Sequence, residues 1–336
     1  HRSGSRPADH RMLERRGQRR AGPDRGSPRR RAFSRSVSKP SVALGGGAVL
    51  DMGKALAALI PSATPLMDHL EVVGRGLPLS TAPLPLIALP TTAGTGAEVT
   101  KNAVIGLPDH RRKVSLRDDR MLARLAIVDP ALTDHCPWKV TLASGLDAVV
   151  QVIEPYLSAR ANDFTDALAR PAIARGLTAL HRLSQGEDAT ARDELAWVSL
   201  CGGLALANAG LGAVHGLAGP IGGMCPAPHG AVCAVLLGPV LQMNRNRADQ
   251  NAQAAQRLAE VCTLIAQVLG GIAETAPQTT ADWVRRAGLE GLSVQGLAPS
   301  DHADVAEAAL QSSSMKSNPV PLTHADLMWI LSQAAP

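Results

Sequence analysis

The sequence predicts an α/β unit with a truncated, mostly parallel sheet, followed by an all-α region. Three observations carry this reading. Short apolar runs, Ser41 to Leu44, Leu84 to Leu89 and Leu125 to Val128, end in glycine- or proline-containing turns and alternate with helical or loop segments. From about residue 135 the pattern turns almost wholly helical. Hydrophobic residues make up 45% of the chain but aromatics only 2%, so the core is built from Ala, Leu, Val and Ile, which favours closely packed helices.

Taken in order, residues 1–40 form a segment rich in Arg, Ser, Gly and Pro with little apolar surface to bury, and are expected to be disordered. This segment holds 12 Arg and one Lys against three acidic residues, a charge of +10, whereas the rest of the chain holds 21 basic and 26 acidic residues, a charge of −5. The overall +5 therefore belongs to one arm, and the globular part is mildly acidic. Three readings of the arm compete: a nucleic-acid-binding tail, an organellar transit peptide, or a segment that is not native coding sequence, which is favoured below. Residues 41–134 are read as a partial α/β domain. Residues 135–336 are read as an all-helical domain, with helices expected at 139–159, 163–183, 191–209, 249–269, 280–287 and 301–311.

Five cysteines show no CxxC pair or regular spacing and read as reduced thiols, most of them buried as small hydrophobes. No apolar run reaches the length of a membrane span, and the N-terminus lacks the apolar core of a secretory signal. A cytoplasmic location without membrane contact is expected.

Two loops carry the first chemical signal. Gly45-Gly46-Gly47-Ala48-Val49-Leu50-Asp51-Met52-Gly53-Lys54 puts three glycines between a strand and a helix N-terminus. The bare backbone lets a pyrophosphate approach, and the free N–H groups and helix dipole favour its charge; the competing reading is a tight turn. Pro90-Thr91-Thr92-Ala93-Gly94-Thr95-Gly96-Ala97-Glu98 follows the second strand, where open α/β sheets bind ligands, and offers hydroxyl and backbone donors. Together these segments resemble the iron-containing (group III) alcohol dehydrogenases, whose turn reads GGGS-x-x-D-x-A-K and whose loop reads P-T-T-x-x-T-G-S-E. The two family serines are Ala48 and Ala97 here. The resemblance implies NAD or NADP bound by Gly45, Gly46, Gly47, Asp51, Thr91, Thr92 and Thr95, with Lys113 near the cofactor.

Further on, Gly145-Leu146-Asp147-Ala148-Val149-Val150-Gln151-Val152-Ile153-Glu154 is similar to the family's G-x-D-A-x-x-H-A-x-E, and His215-Gly216 and Pro228-His229-Gly230 resemble its H-G-x-A-H…P-H-G. By that resemblance Asp147, Gln151, His215 and His229 are the ligands of a divalent metal, iron or zinc, with Gln151 in place of a histidine. An amide oxygen ligates more weakly than imidazole. The histidine to which the family assigns proton relay is Gly219 here. The resemblance also implies a dehydroquinate synthase-like, iron-dependent alcohol dehydrogenase fold and hydride transfer to or from an alcohol, aldehyde or oxoacid, in a homodimer or larger assembly. The family carries further strands before the glycine turn, and residues 1–40 contain none, so the start of the nucleotide domain reads as absent or replaced. A maleylacetate-reductase-like enzyme that works without metal, an inactive or nucleic-acid-associated protein, and a purely structural helical protein are the alternatives; nucleic acid is the weakest partner class.

Overall fold

The computed structural model describes residues 39–336, so the expected disorder of the Arg-rich segment lies outside the described residues except at Lys39 and Pro40. Strand β1 (Ser41–Gly45) pairs in parallel with β2 (Leu86–Pro90), in the register Ser41↔Leu86 to Gly45↔Pro90. The short β5 (Leu125–Ala126) pairs in parallel with β2 on its other side. Because β1 and β2 are in register and parallel, both end at one edge of the sheet, and the glycine turn and the threonine loop leave it side by side. Helix α1 (Gly47–Leu59) follows β1 directly and buries Leu50, Lys54, Ala55, Ala57 and Ala58. A four-residue helix, α2 (Leu66–His69), lies between α1 and β2. Among the described residues the outer side of this edge is apolar: Val42 and Leu44 on β1 and Val49, Met52, Leu56 and Ile60 on or beside α1 are exposed.

An antiparallel hairpin, β3 (Asn102–Leu107) with β4 (Arg112–Arg117), was not expected from the sequence. Its charged turn hid the alternation: Val114 and Leu116 point inward, while Arg112 and Arg117 at the ends of β4 stay exposed. The turn closes through Arg111 in the left-handed region, at φ 48°. Ala103, Val114 and Leu116 pack with Ala55 and Ala58 of α1 in a small core of their own.

The helical region is organised around α3 (Trp138–Leu157). Sixteen of its 20 residues are buried, so it has no solvent face and forms the axis of the main core. Against it pack α4 (Asp163–Leu183), α5 (Ala189–Ala209) and α7 (His229–Arg247). Helix α6 (Ala213–Met224) lies between α5 and α7 in the chain and packs on β4, joining the hairpin to the helices. The remaining long elements are α8 (Ala252–Leu269), α9 (Ala276–Arg286), α10 (His302–Leu310) and α11 (His324–Ala334). Local sequence sets several starts. Asn162 and Thr165 form a reciprocal capping box at α4, Asp188 caps α5, Asn251 caps α8, and Thr323 with Asp326 caps α11. Among the described residues no single helix is long and apolar enough to cross a membrane.

Candidate active site

The glycine turn and the threonine loop touch. A Cβ on Gly46 would lie 3.2 Å from Thr92 Oγ1, and one on Gly47 would lie 2.7 Å from Thr95 Oγ1. The Thr91 amide donates to the Gly45 carbonyl at 3.0 Å, continuing the ladder past the strand ends. Gly46 caps α1 without any side-chain acceptor. The first N–H groups of a 13-residue helix are therefore free for an anion, ringed by threonine hydroxyls. Gly45, Gly46, Gly47, Thr91, Thr92 and Thr95 thus form one corner. Asp51 stands apart from them in its bonding: Oδ1 pairs with Lys54 at 3.1 Å and Oδ2 accepts from the Val104 amide at 3.1 Å. Lys113 runs along α6, its Nζ 3.1 Å from where a Cβ on Gly222 would stand.

Lys54, unassigned in the sequence reading, holds this corner together. Its buried ammonium donates to the Ala97 carbonyl at 2.9 Å and to Thr100 Oγ1 at 3.1 Å, stapling α1 to the end of the threonine loop. Burial pushes its pKa down, and Asp51 beside it offsets part of that shift. Glu98 is buried in the same layer, and desolvation raises its carboxyl above the usual range. The loop tip is then bolted to the helices. The Gly94 amide donates to Ser199 Oγ on α5 at 2.8 Å, and the Gly94 carbonyl accepts from Gln151 Nε2 on α3 at 3.0 Å. Gly96, at φ 58°, packs so tightly on α5 that a Cβ would stand 2.6 Å from Gly203 Cα.

One helix turn before Gln151 lies Asp147, buried in α3. His215, near the start of α6, places Nε2 3.3 Å from Asp147 Oδ1, and His229, the first residue of α7, places Nε2 3.8 Å from the same oxygen. Asp147 Oδ1 and His215 Nε2 are buried, and neither has a hydrogen-bond partner among the described residues. Two buried polar atoms facing each other at 3.3 Å without a hydrogen bond call for a shared cation, either a proton on the imidazole or a metal ion. His215 is aimed from behind: Nδ1 bonds Glu154 Oε2 at 2.6 Å, and the other oxygen of Glu154 accepts from the Val214 amide at 2.6 Å. Burial pushes the Asp147 carboxyl up, but the His229 and His215 imidazoles outweigh it and hold it below its ordinary range. Burial likewise works against a charged His215, yet Cys233, Glu154 and Asp147 around it hold its pKa well above the usual value. This local field favours a positive charge at the point where the three side chains meet. Asp147, His215 and His229 offer one oxygen and two nitrogen donors there, a set that suits zinc or iron(II).

A model of the iron-containing alcohol dehydrogenases matches residues 35–130, and one of the C-terminal region of the Fe-containing alcohol dehydrogenase family matches residues 141–335. A probable alcohol dehydrogenase, EutG, of Salmonella typhimurium is 34% identical over 300 residues, covering 85% of this chain and 70% of that protein. The chain belongs to the iron-containing alcohol dehydrogenase family. A solved 1,3-propanediol oxidoreductase superposes with a TM-score of 0.76 at 30% identity, over 88% of this chain and 76% of that one. The sulfoacetaldehyde reductase of Bifidobacterium kashiwanohense, solved with NAD+, superposes with a TM-score of 0.73 at 26% identity, over 88% and 75%. As an iron-type alcohol dehydrogenase the chain is an NAD(P)-linked oxidoreductase of alcohols and carbonyl compounds, served by a divalent metal. The small parallel sheet followed by a large helical region is the fold expected from the sequence.

Besides Lys54, the sequence reading left two residues of this candidate site unassigned. Glu154 was seen only as part of a motif, although Asp147, Gln151 and Glu154 share one face of α3 at spacings of four and three. Cys233 was one of five cysteines read mostly as buried small hydrophobes, yet it stands one turn after His229 on α7 and its sulfur joins the cluster. For Glu154 the consequence is testable. Glu154→Gln keeps the shape but weakens the carboxylate–imidazole bond that orients His215. It is expected to lower zinc affinity about 10–100-fold, measured by competition with a chromophoric chelator. An unchanged affinity would show that Glu154 only fills space.

Proposed function

We propose that residues 41–134 hold NAD or NADP between the glycine turn and the threonine loop, and that residues 135–336 hold a divalent metal through Asp147, His215 and His229. The observation that carries this reading is the pair of buried, partnerless atoms, Asp147 Oδ1 and His215 Nε2, 3.3 Å apart beside His229. A divalent metal bound there supplies Lewis-acid polarisation of the oxygen of an alcohol, aldehyde or oxoacid. The chain's own residues do the rest. Glu154 fixes the tautomer and direction of His215. Gln151 and Ser199 hold the Gly94 turn against α3 and α5, so the cofactor corner and the metal cluster keep one geometry. At Gly219 the helix surface is open, with nothing within 4 Å of a built Cβ. The chain thus supplies no imidazole at this position, and solvent reaching the open surface there would be left to exchange a proton with the substrate oxygen. The convergence of Asp147, His215 and His229 on one point also favours this reading over a metal-independent reductase, in which only imidazole protons would offset the buried carboxylate. A cytoplasmic location fits the five unpaired cysteines.

The test is a titration of NADH and NADPH followed through energy transfer from the four tryptophans, with and without zinc. Saturable binding is expected. Gly47→Ala should weaken it about 10-fold or more, because its Cβ would stand 2.7 Å from Thr95 Oγ1 and displace the loop. Equal affinity in Gly47→Ala and the wild type would remove the glycine turn from the cofactor site.

A further inference from the structure

The metal reading leaves the fourth donor open. Gln151 stands where the family motif has a histidine; its Nε2 donates to the Gly94 carbonyl and ties α3 to the threonine loop, and the neutral amide oxygen left to it is a weaker donor to zinc or iron(II) than a thiolate. We infer that the fourth donor is the sulfur of Cys233, which makes this a thiolate-containing metal site. The inference rests on the metal reading above.

The geometry argues for it in three steps. His229 and Cys233 are four residues apart on α7, so both side chains leave the same face of the helix, toward Asp147 on α3 and His215 on α6. Donor atoms of Asp147, His215, His229 and Cys233 all lie within 4.8 Å of one another, and Cys233 is fully buried. Metal–ligand bonds of about 2.0–2.3 Å require tetrahedron edges of about 3.3–3.8 Å. Three of the six edges already have that length: 3.3 Å from His215 Nε2 to Asp147 Oδ1, 3.8 Å from His229 Nε2 to Asp147 Oδ1, and 3.6 Å from Cys233 Sγ to His229 Nε2. A cysteine packed only as a small hydrophobe has no reason to complete a polyhedron around two partnerless polar atoms.

On binding, the Cys233 thiol gives up its proton to solvent and ligates as thiolate. Sulfur shifts the preference of the site from hard cations toward zinc and away from magnesium or manganese. The His229 side chain remains 38% exposed, so the cluster is open to solvent on that side, from which a substrate could approach a metal held there.

Cobalt(II) makes the inference visible without any turnover. Added to the metal-depleted protein, it should produce a near-ultraviolet thiolate-to-cobalt charge-transfer band together with visible ligand-field bands. In Cys233→Ser the charge-transfer band should vanish and cobalt affinity should fall about 10–100-fold, while the ligand-field bands persist at higher cobalt. Gln151→Ala and Cys225→Ser should both keep the charge-transfer band. X-ray absorption of the zinc-loaded wild type should show one sulfur scatterer at about 2.3 Å, and this reading does not depend on any variant folding. Ligand-field bands without charge transfer in the wild type, or charge transfer that survives Cys233→Ser, would overturn the assignment of Cys233 and leave the metal site standing. Failure of the wild type to bind cobalt or zinc at all would overturn both.

Discussion

Asp147→Asn is expected to reduce kcat/KM about 1,000-fold or more while leaving the metal-free protein folded. The carboxylate is buried, and its Oδ1 is the atom from which both His215 and His229 are measured at 3.3 and 3.8 Å. Asparagine keeps the shape and removes the one anionic oxygen aimed at the metal position, so affinity for the metal falls first. Loss of a Lewis-acid contribution of about 4 kcal/mol then corresponds to about 1,000-fold in rate, at roughly 1.4 kcal/mol per decade. Circular dichroism of the metal-depleted proteins should agree between wild type and variant, because the packing of α3 is unaltered, while loss of the carboxylate's attraction for His215 and His229 lowers the melting temperature of the variant. Steady-state rates within 10-fold of wild type, with normal metal content, would place the essential metal elsewhere or nowhere. The same substitution should abolish the stabilisation that saturating zinc confers on the wild type, since only a ligand that prefers the folded state raises its melting point.

The second large effect is expected at Gly230, which has no side chain to offer a cofactor or a metal. It is the second residue of α7 and lies flat against α3: a Cβ would stand 2.1 Å from the Ala143 carbonyl oxygen and 3.2 Å from Asp147 Cβ. The obstacle is backbone inside a fully packed helix, so no side-chain rotation relieves it. Overpacking of this kind costs about 3 kcal/mol, and Gly230→Ala should lower the melting temperature on the order of 5–10 °C. Separating α7 from α3 also carries His229 and Cys233 away from Asp147, so zinc affinity should fall with stability. Gly219→Ala is the control. It lies on α6 with nothing beyond its chain neighbours within 4 Å of its built Cβ, and the gain in helix propensity is opposed by the following Pro220, so its stability should stay close to that of the wild type. A Gly230→Ala protein as stable as the wild type would show that α3 and α7 slide freely here.

How much of this was legible in the sequence depended on contrast along the chain. Helix α4 runs from Asp163 to Leu183, the span expected, because Asn162 caps it and its exposed and buried positions alternate at helical spacing. The β1 strand, glycine turn and α1 were legible because three glycines interrupt two apolar runs. Helices α6 and α7 were not. The first carries four glycines in 12 residues, and the second is buried on all sides from Ala231 to Leu241, so neither shows an amphipathic stripe. Those two helices carry His215, His229 and Cys233, so the local pattern was weakest where the metal cluster is densest. The resemblance to the family supplied the histidines by spacing, but it carried no place for Cys233. The i, i+4 relation of His229 to Cys233 was visible in the sequence, and it acquires meaning only once both are known to be helical. Lys54 was obscured for a different reason. A lysine in a helix reads as solvated, and only the tertiary contact with Ala97 and Thr100 shows it to be a buried staple.

The most direct measurement is NAD(P)-linked turnover before and after removal of metal. The purified protein is assayed with NAD+ and NADP+ against a series of primary alcohols, then dialysed against a chelator, assayed again, and finally supplied with zinc or iron(II). The expected result is a fall of at least about 100-fold on chelation, with recovery on adding one of the two metals and no recovery in Asp147→Asn. A metal-free protein that still reduces the cofactor at its original rate would contradict the assignment of Asp147, His215 and His229 as the centre of the chemistry.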